Sequence, residues 1–284
     1  MSKIILVAET GSDITKELAR EYGIVLVPMH VSFDDKTLDD GTFNVEEIVK
    51  YYKETSKTPK TSGCNPGDFE IFETIHNEYP DAHIIYLAYS AVTTCSYQSA
   101  SIMAKDLDYV TLIDTKQVSI GQGSIVIHLA RYINEHKDAS VQEVIDYANT
   151  LIERSKMCFI PHNLEFLRAG GRVSNAAYVG ATLLNLHPTI EILDGKLVAT
   201  KKYRGKMSKV CLKLLQDYSE HYNLDKDVLW FVHTIGFEDS IKEALTQEAK
   251  NLGFKEINWI LAHGVITTHG GPGAFGFAGF KKEN

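Results

Sequence analysis

The sequence predicts an α/β protein in two parts: a parallel α/β/α sheet domain over residues 1–150 and a mixed-sheet α+β domain over residues 151–284. Three observations carry this expectation. Strand-like and helix-like runs alternate through the first half, the pattern of a parallel sheet with helices on its faces. After about residue 150 the strand-rich runs come closer together, and Asp194-Gly195 supplies a hairpin turn between two of them. The chain has 284 residues, a length that suits two domains of ~150 residues each or one large α/β unit and can bury roughly 70–75% of its unfolded surface.

The elements follow in order. Ile4–Ala8, Ile24–Phe33, His83–Ala88 and Tyr109–Ile113 are β-rich apolar runs. Between them Ile14–Tyr22, Val45–Thr55 and Pro66–Tyr79 read as helices. The last has a clear start signal, with Asn65 as N-cap, Pro66 in the first helical position and Asp68 in the first turn. A further helix over Gly121–His136 sets Ile125, Leu129 and Ile133 on one stripe. In the second half Leu183–Leu193, Leu197–Tyr203, Val228–His233 and Ile257–Thr268 read as strands or strand-rich segments. Lys206–Tyr222 and Asp239–Leu252 read as amphipathic helices.

Composition narrows the function classes. With 44% hydrophobic and 23% charged residues the chain is ordinary globular material, and 29 basic against 37 acidic residues disfavour a nucleic-acid-binding face. The apolar run at Ile4–Ala8 is too short for a secretory signal and is followed at once by Glu9, and no run reaches the ~18 apolar residues of a membrane span. Cys64, Cys95, Cys158 and Cys211 form no C-x-x-C pair, as expected for reduced thiols in a cytoplasmic protein.

In an open parallel sheet, ligands bind beyond the carboxyl ends of the strands, near helix N-termini. Those places are rich in small polar residues here: Glu9-Thr10-Gly11-Ser12-Asp13, Ser90 through Ser99, and Asp114-Thr115 with Ser119, Gly121 and Gly123. Thr61-Ser62 leads into the Asn65-capped helix. Hydroxyls and free helix N–H groups together make a neutral cradle for an anion; any single hydroxyl is more often a helix cap. No G-x-x-x-x-G-K-[ST] occurs, and the G-x-G-x-x-G match at Gly271–Gly276 lies too late in the chain to open a βαβ unit. His269 beside that glycine-rich turn can hydrogen-bond an anion or act as a base. His233 is a weaker candidate of the same kind. Arg172, after Gly170-Gly171, presents a guanidinium suited to a carboxylate, and Tyr178–Leu186 is an uncharged stretch that suits a core or a pocket wall. No metal-binding spacing is present.

Taken in order, these segments resemble the DegV family over nearly the whole chain. Thr61-Ser62 with Pro66 and Phe69 is similar to that family's Thr-Ser-x-Pro-Ser-Pro-x-x-Phe, and Ser96-Tyr97-Gln98-Ser99-Ala100 to the end of its Leu-Ser-Gly-Thr-Tyr-Gln-Ser-Ala. Asp114 through Gly123 resembles Asp-Ser-x-x-x-Ser-x-Gly-x-Gly. Phe166 through Ser174 resembles Leu-x-x-Gly-Gly-Arg-Ile-Ser, and His269–Gly273 matches His-x-Gly-Pro-Gly. Four segments depart from the family's usual pattern: Glu9-Thr10 for Asp-Ser, Gly63-Cys64-Asn65 for x-Pro-Ser, Thr93-Thr94-Cys95 for Leu-Ser-Gly, and His187-Pro188 for Lys-Pro.

The resemblance implies a two-domain protein that encloses one long-chain fatty acid as ligand, with no other cofactor and no catalytic residues of its own. Thr61, Thr94 and His269 would hold the carboxylate, with Ser62 and Arg172 in support, and the acyl chain would enter an apolar tunnel in the second domain. Members of the family serve as the fatty-acid-binding (FakB) subunit of bacterial fatty acid kinase. They present the carboxylate to a FakA-like ATP-dependent kinase subunit, and the acyl-phosphate enters phospholipid synthesis. Arg204 would dock that partner, and transient membrane contact would allow ligand exchange. Two rivals remain on the residues alone. One is a Ser/Thr–His269 acyl or phosphoryl transferase with Asp114 as orienting acid, although no G-x-S-x-G elbow is present. The other is a carrier or sensor for another amphiphilic acid.

Overall fold

The computed structural model describes residues 3–172 and 186–283. Four strands form a wholly parallel sheet in the order β2-β1-β6-β7: β1 (Ile4–Glu9), β2 (Val25–Val27), β6 (His83–Ala88) and β7 (Val110–Asp114). Helices α1 (Lys16–Tyr22), α3 (Ile71–Glu78) and α4 (Ser96–Met103) connect or flank them. The run from Ile24 to Phe33 is two strands rather than one. Pro28, which has no N–H to give a ladder, separates β2 from β3 (His30–Phe33). β3 leaves for a small antiparallel sheet with β4 (Lys36–Asp39) and β5 (Lys60–Ser62), which α2 (Glu46–Thr55) links in sequence.

A long helix, α5 (Ser119–Glu135), and α6 (Val141–Arg154) lead into a six-stranded mixed sheet. Its order is β10-β9-β8-β13-β11-β12, and β11·β12 is its one parallel pair among the described residues. The strands are β8 (Ser155–Ile160), β9 (Leu186–Leu193), β10 (Lys196–Arg204), β11 (Val228–His233), β12 (Glu256–Leu261) and β13 (Phe275–Phe280). Helices α7 (Glu165–Ala169), α8 (Met207–His221), α9 (Asp239–Asn251) and α10 (Gly264–Gly270) complete the described chain. The expected hairpin is present: Asp194 and Gly195 both take positive φ, 47° and 78°, between paired Leu193 and Lys196.

The layers explain the sequence pattern. Residues 119–127 of α5 are buried on every side because the helix is sandwiched between the two sheets. Ile125 and Leu129 share one core with Leu6 and Ile85 of the parallel sheet and Trp230 and Ala278 of the mixed sheet. On the outer face of the parallel sheet Ile5, Val7 and Tyr86 pack against Phe69, Phe72 and Ile75. On the outer face of the mixed sheet Phe231 and Phe277 pack against Leu214 and Leu215 of α8 and Ile241 and Leu245 of α9. Burial of such side chains stabilises the fold by about 1.5–3 kcal/mol each.

One expectation needs correcting. Ile257–Thr268 is a strand only as far as Leu261, and from Gly264 the chain is helical. The apolar run has no cap of its own at that point. The cap comes from far away in sequence, because Asp40 Oδ1 accepts hydrogen bonds from the backbone N–H of Gly264 at 2.7 Å and Val265 at 3.3 Å. The Asn65 signal, by contrast, is a full capping box, opening a short 3₁₀ turn over Pro66–Glu70 that runs into α3.

Candidate functional site

Three loops leave the carboxyl ends of β1, β6 and β7 side by side, where ligands of parallel sheets are found. β5 is brought to the same place through its pairing with β3, where Ser62 opposes His30 and Thr61 opposes Val31. The exit of β5 is tied to the start of α4, because Cys64 N–H donates to Ser96 Oγ at 3.1 Å. From the other side comes α10, carrying His269 on its last turn.

These elements enclose a cavity of about 310 Å³. Thr61, Ser62, Thr94, Arg172 and His269, the five ligand-binding residues expected from the sequence, all line it. Arg204 does not. It lies at the exposed end of the edge strand β10, paired in register with Leu186. The rest of the wall is largely apolar and draws on both sheets and their helices: Met29, Val118, Met157, Phe159, Val232 and Phe275 among others. Most of the uncharged stretch Tyr178–Leu186, expected as core or pocket wall, lies outside the described residues, as do Val173 and Ser174.

The polar cluster is held by contacts between distant segments. His269 Nε2 is 2.8 Å from Thr61 Oγ1. Arg172 donates to Gly170 O at 2.7 Å and to Thr93 O at 3.2 Å, so its guanidinium bridges the Gly-Gly turn and the loop before α4. Thr94 Oγ1 lies 3.3 Å from Ser96 Oγ. Gly170 has to be a glycine for reasons of space, because a methyl group there would overlap His269 Nδ1. Burial, assisted by the charge of Arg172, lowers the His269 pKa to about 4. The ring is therefore neutral at neutral pH, and its Nδ1 is buried with no hydrogen-bond partner.

A second polar cluster lies beneath, among groups the sequence marked only as strand-end loops. Glu9 is fully buried. Tyr86 OH donates to it, as do Gln122 Nε2 at 2.6 Å and Tyr89 N–H, at 3.1 and 3.0 Å to its two oxygens. Burial raises its pKa to about 7 despite those donors. Asp13 accepts from Ser119 Oγ and from His263 N–H at 2.7 Å, and its pKa is raised by burial to about 6, with His263 opposing the rise. Asp40, the cap of α10, is also raised by burial. Nothing local in the sequence marks Asp40 or His263, since each acts on residues hundreds of positions or a whole sheet away.

His233 belongs to the wall of the cavity, but its ring packs with Phe237 and Trp259, and its Nδ1 donates to Thr234 O at 3.1 Å. Asp114 is also placed apart from His269. Its Oδ1 accepts from the backbone N–H of Ala91 at 3.2 Å and of Lys116 at 2.9 Å. Among the described residues no group of three or more His, Cys, Asp or Glu side chains is arranged to hold a metal ion, and no helix is long and apolar enough to cross a membrane.

Comparison with known proteins identifies the fold and the family. A DegV domain-containing protein of Caldanaerobacter subterraneus subsp. tengcongensis is 30% identical over 285 aligned residues, covering 97% of this chain and 98% of the relative. Among solved structures, a DegV family protein from Thermus thermophilus, described by its fatty acid binding, superposes with a TM-score of 0.87 at 26% identity, covering 99% of this chain and 100% of that one. The fatty acid kinase B3 protein of Streptococcus pneumoniae, solved with linoleic acid, shares the fold at 17% identity, with a TM-score of 0.84 and coverage of 99% and 100%. The family described as "Uncharacterised protein, DegV family" matches residues 3–282, so both sheets, the cavity between them and every segment that lines it fall within one family pattern, and the chain belongs to the DegV family.

Proposed function

We propose that this protein binds one long-chain fatty acid in the cavity and presents its carboxylate to a separate ATP-dependent kinase. The observation that carries the reading is the Thr61–His269 pair, 2.8 Å apart, set in the wall of a largely apolar cavity. Apolar walls supply affinity, since each buried CH₂ contributes about 0.8 kcal/mol. The polar cluster then compensates the desolvation of the head group.

The neutral imidazole suits this task. With its proton on Nε2, His269 donates to Thr61 Oγ1 and leaves the Thr61 hydroxyl proton free for a ligand oxygen. The opposite tautomer would leave a buried Nδ1–H with no acceptor, the more costly arrangement. Thr94 offers a second hydroxyl and Ser62 a third, while Arg172 holds the loop that carries Thr94 and adds positive potential. Hydroxyl donors of this kind hold a carboxylate without locking it into an ion pair, which fits a group that is to be phosphorylated and released. The fatty-acid-binding DegV protein of T. thermophilus supports the ligand class. The kinase partner is supported more narrowly, by the S. pneumoniae likeness, and Arg204 on its exposed strand end is our choice for the docking contact.

The transferase reading is less well supported. It requires an acid to orient His269, whereas the Asp114 carboxylate is engaged by backbone amides and His269 Nδ1 has no partner. Denaturing extraction and mass spectrometry of the purified protein test the proposal. One fatty acid per chain is expected. Protein that carries none and takes up none of an added series from C14 to C20 refutes it.

A further inference from the structure

Gly63 is absent from the residues expected to bind ligand, yet it lies in the cavity wall directly after Ser62. A methyl group at Gly63 would fall inside contact distance of Thr94 Oγ1, and would lie 2.7 Å from Ser96 Oγ and 3.4 Å from Cys95 Sγ. Its φ is outside the left-handed region, so the requirement is for space and not for backbone freedom. That space lets the loop before α4 close on the exit of β5, where Cys64 N–H reaches Ser96 Oγ at 3.1 Å and Thr94 Oγ1 stands 3.3 Å from the same oxygen.

We infer that Gly63 is a positioning residue that sets head-group specificity: by carrying no side chain it holds the Thr94 hydroxyl on the same side of the cavity as the Thr61–His269 pair. The inference deepens the fatty-acid reading and rests on it. The sequence of this chain makes the point sharper. It carries Thr94-Cys95 where the family pattern has Ser-Gly, and the thiol so gained lies beside Gly63. Bulk added on the α4 side of the contact is met by its absence on the β5 side. Any larger residue at 63 turns Thr94 Oγ1 away from the ligand or forces the loop off β5. Either movement removes one hydrogen-bond donor from the carboxylate and leaves the apolar walls in place.

A double-mutant cycle on delipidated protein tests this, with oleate and oleyl alcohol as the two probes. Gly63→Ala and Thr94→Ala are each expected to weaken oleate binding about tenfold, the loss of one hydrogen bond to a charged group. Because both act through the same oxygen, the double variant should also lose about tenfold. Oleyl alcohol, which has no charged head, should change less than about threefold in all three. Unchanged oleate affinity in Gly63→Ala overturns the inference, as does a double variant that loses the product of the two effects. Should Gly63→Ala fail to fold, the double variant, which lacks the nearer of the two clashing hydroxyls and leaves only Ser96 Oγ to give way, carries the test against Thr94→Ala alone: equal affinity supports the inference, and a further tenfold loss overturns it. Wild-type protein that binds no oleate at all overturns the fatty-acid reading itself, a result distinct from additivity in the cycle.

Discussion

Two buried polar clusters sit close together at the carboxyl edge of the parallel sheet, and they are built on opposite terms. Around Glu9 every carboxylate oxygen meets protein donors, from Tyr86, Gln122 and the Tyr89 backbone. Around His269 the ring shares one hydrogen bond with Thr61 and leaves Nδ1 unpaired, and the neighbouring hydroxyls of Thr61 and Thr94 line open volume. A polar group satisfied by the protein contributes to the fold, and one left facing a cavity is available to a ligand. Burial alone does not separate the two. Hydrogen-bond accounting of the central group, Glu9 against His269, does.

The comparison is most severely tested by removing its two central groups. Glu9→Ala strands the Tyr86 hydroxyl and takes one of two acceptors from the Gln122 amide, which keeps Leu87 O, and is expected to cost about 3 kcal/mol in urea unfolding. Oleate affinity of the folded variant should change less than about threefold. His269→Ala should give the mirror image: ligand-free stability within about 1 kcal/mol of wild type, and oleate weakened roughly 10- to 100-fold in a displacement titration. If the two variants exchanged these behaviours, the assignment of structural and ligand-facing clusters would be reversed.

Titration sharpens the same contrast. The raised pKa of Glu9 means that the folded protein holds a proton which the unfolded chain releases, so stability falls as pH rises from about 4.5 toward 7. Asp13 acts in the same direction between about 3.8 and 6. His269 acts oppositely: its lowered pKa makes stability fall as pH drops from 6.5 toward about 4. Thermal melts of Glu9→Gln should show a flatter decline between pH 5 and 7 than wild type, with pH the only variable (a window of about 2 units set by the shift itself). The ring protons of His269, followed by NMR, should stay in the neutral form down to about pH 5; a midpoint near 6.5 would contradict the buried site. The smallest effect is expected at Arg204. Arg204→Ala should leave oleate affinity within about twofold, because the residue lines no part of the cavity, while lowering phosphorylation of bound oleate by the proposed kinase partner.

Much of the fold was legible where its cause is local. The capping box at Asn65, the Asp194-Gly195 turn and the alternation of strands and helices are all written within a few residues of where they act. The helix over Gly264–Gly270 was not legible, since its cap is Asp40. The break between β2 and β3 carried a visible mark, Pro28, but the departure of β3 into a separate sheet is decided by its partners β4 and β5. In the site, Thr61, Thr94 and His269 could be singled out because they fall in recognisable segments. Glu9, Asp13 and Gly63 could not be ranked, because their roles depend on what surrounds them in three dimensions.

The position of β13 bears on how the molecule comes into being. Phe275–Phe280 lies between β8 and β11, pairing with both, so the middle of the mixed sheet is its last strand to be synthesised. Until that segment leaves the ribosome, the β8·β9 and β11·β12 pairs have no strand to connect them, and Met157, Phe159 and Val232, which will line the cavity, have no closed wall to belong to. The parallel sheet can assemble early. The cavity cannot, and a nascent chain stalled before residue 275 would present those side chains to water and to chaperones, as expected for a topology dominated by distant pairings.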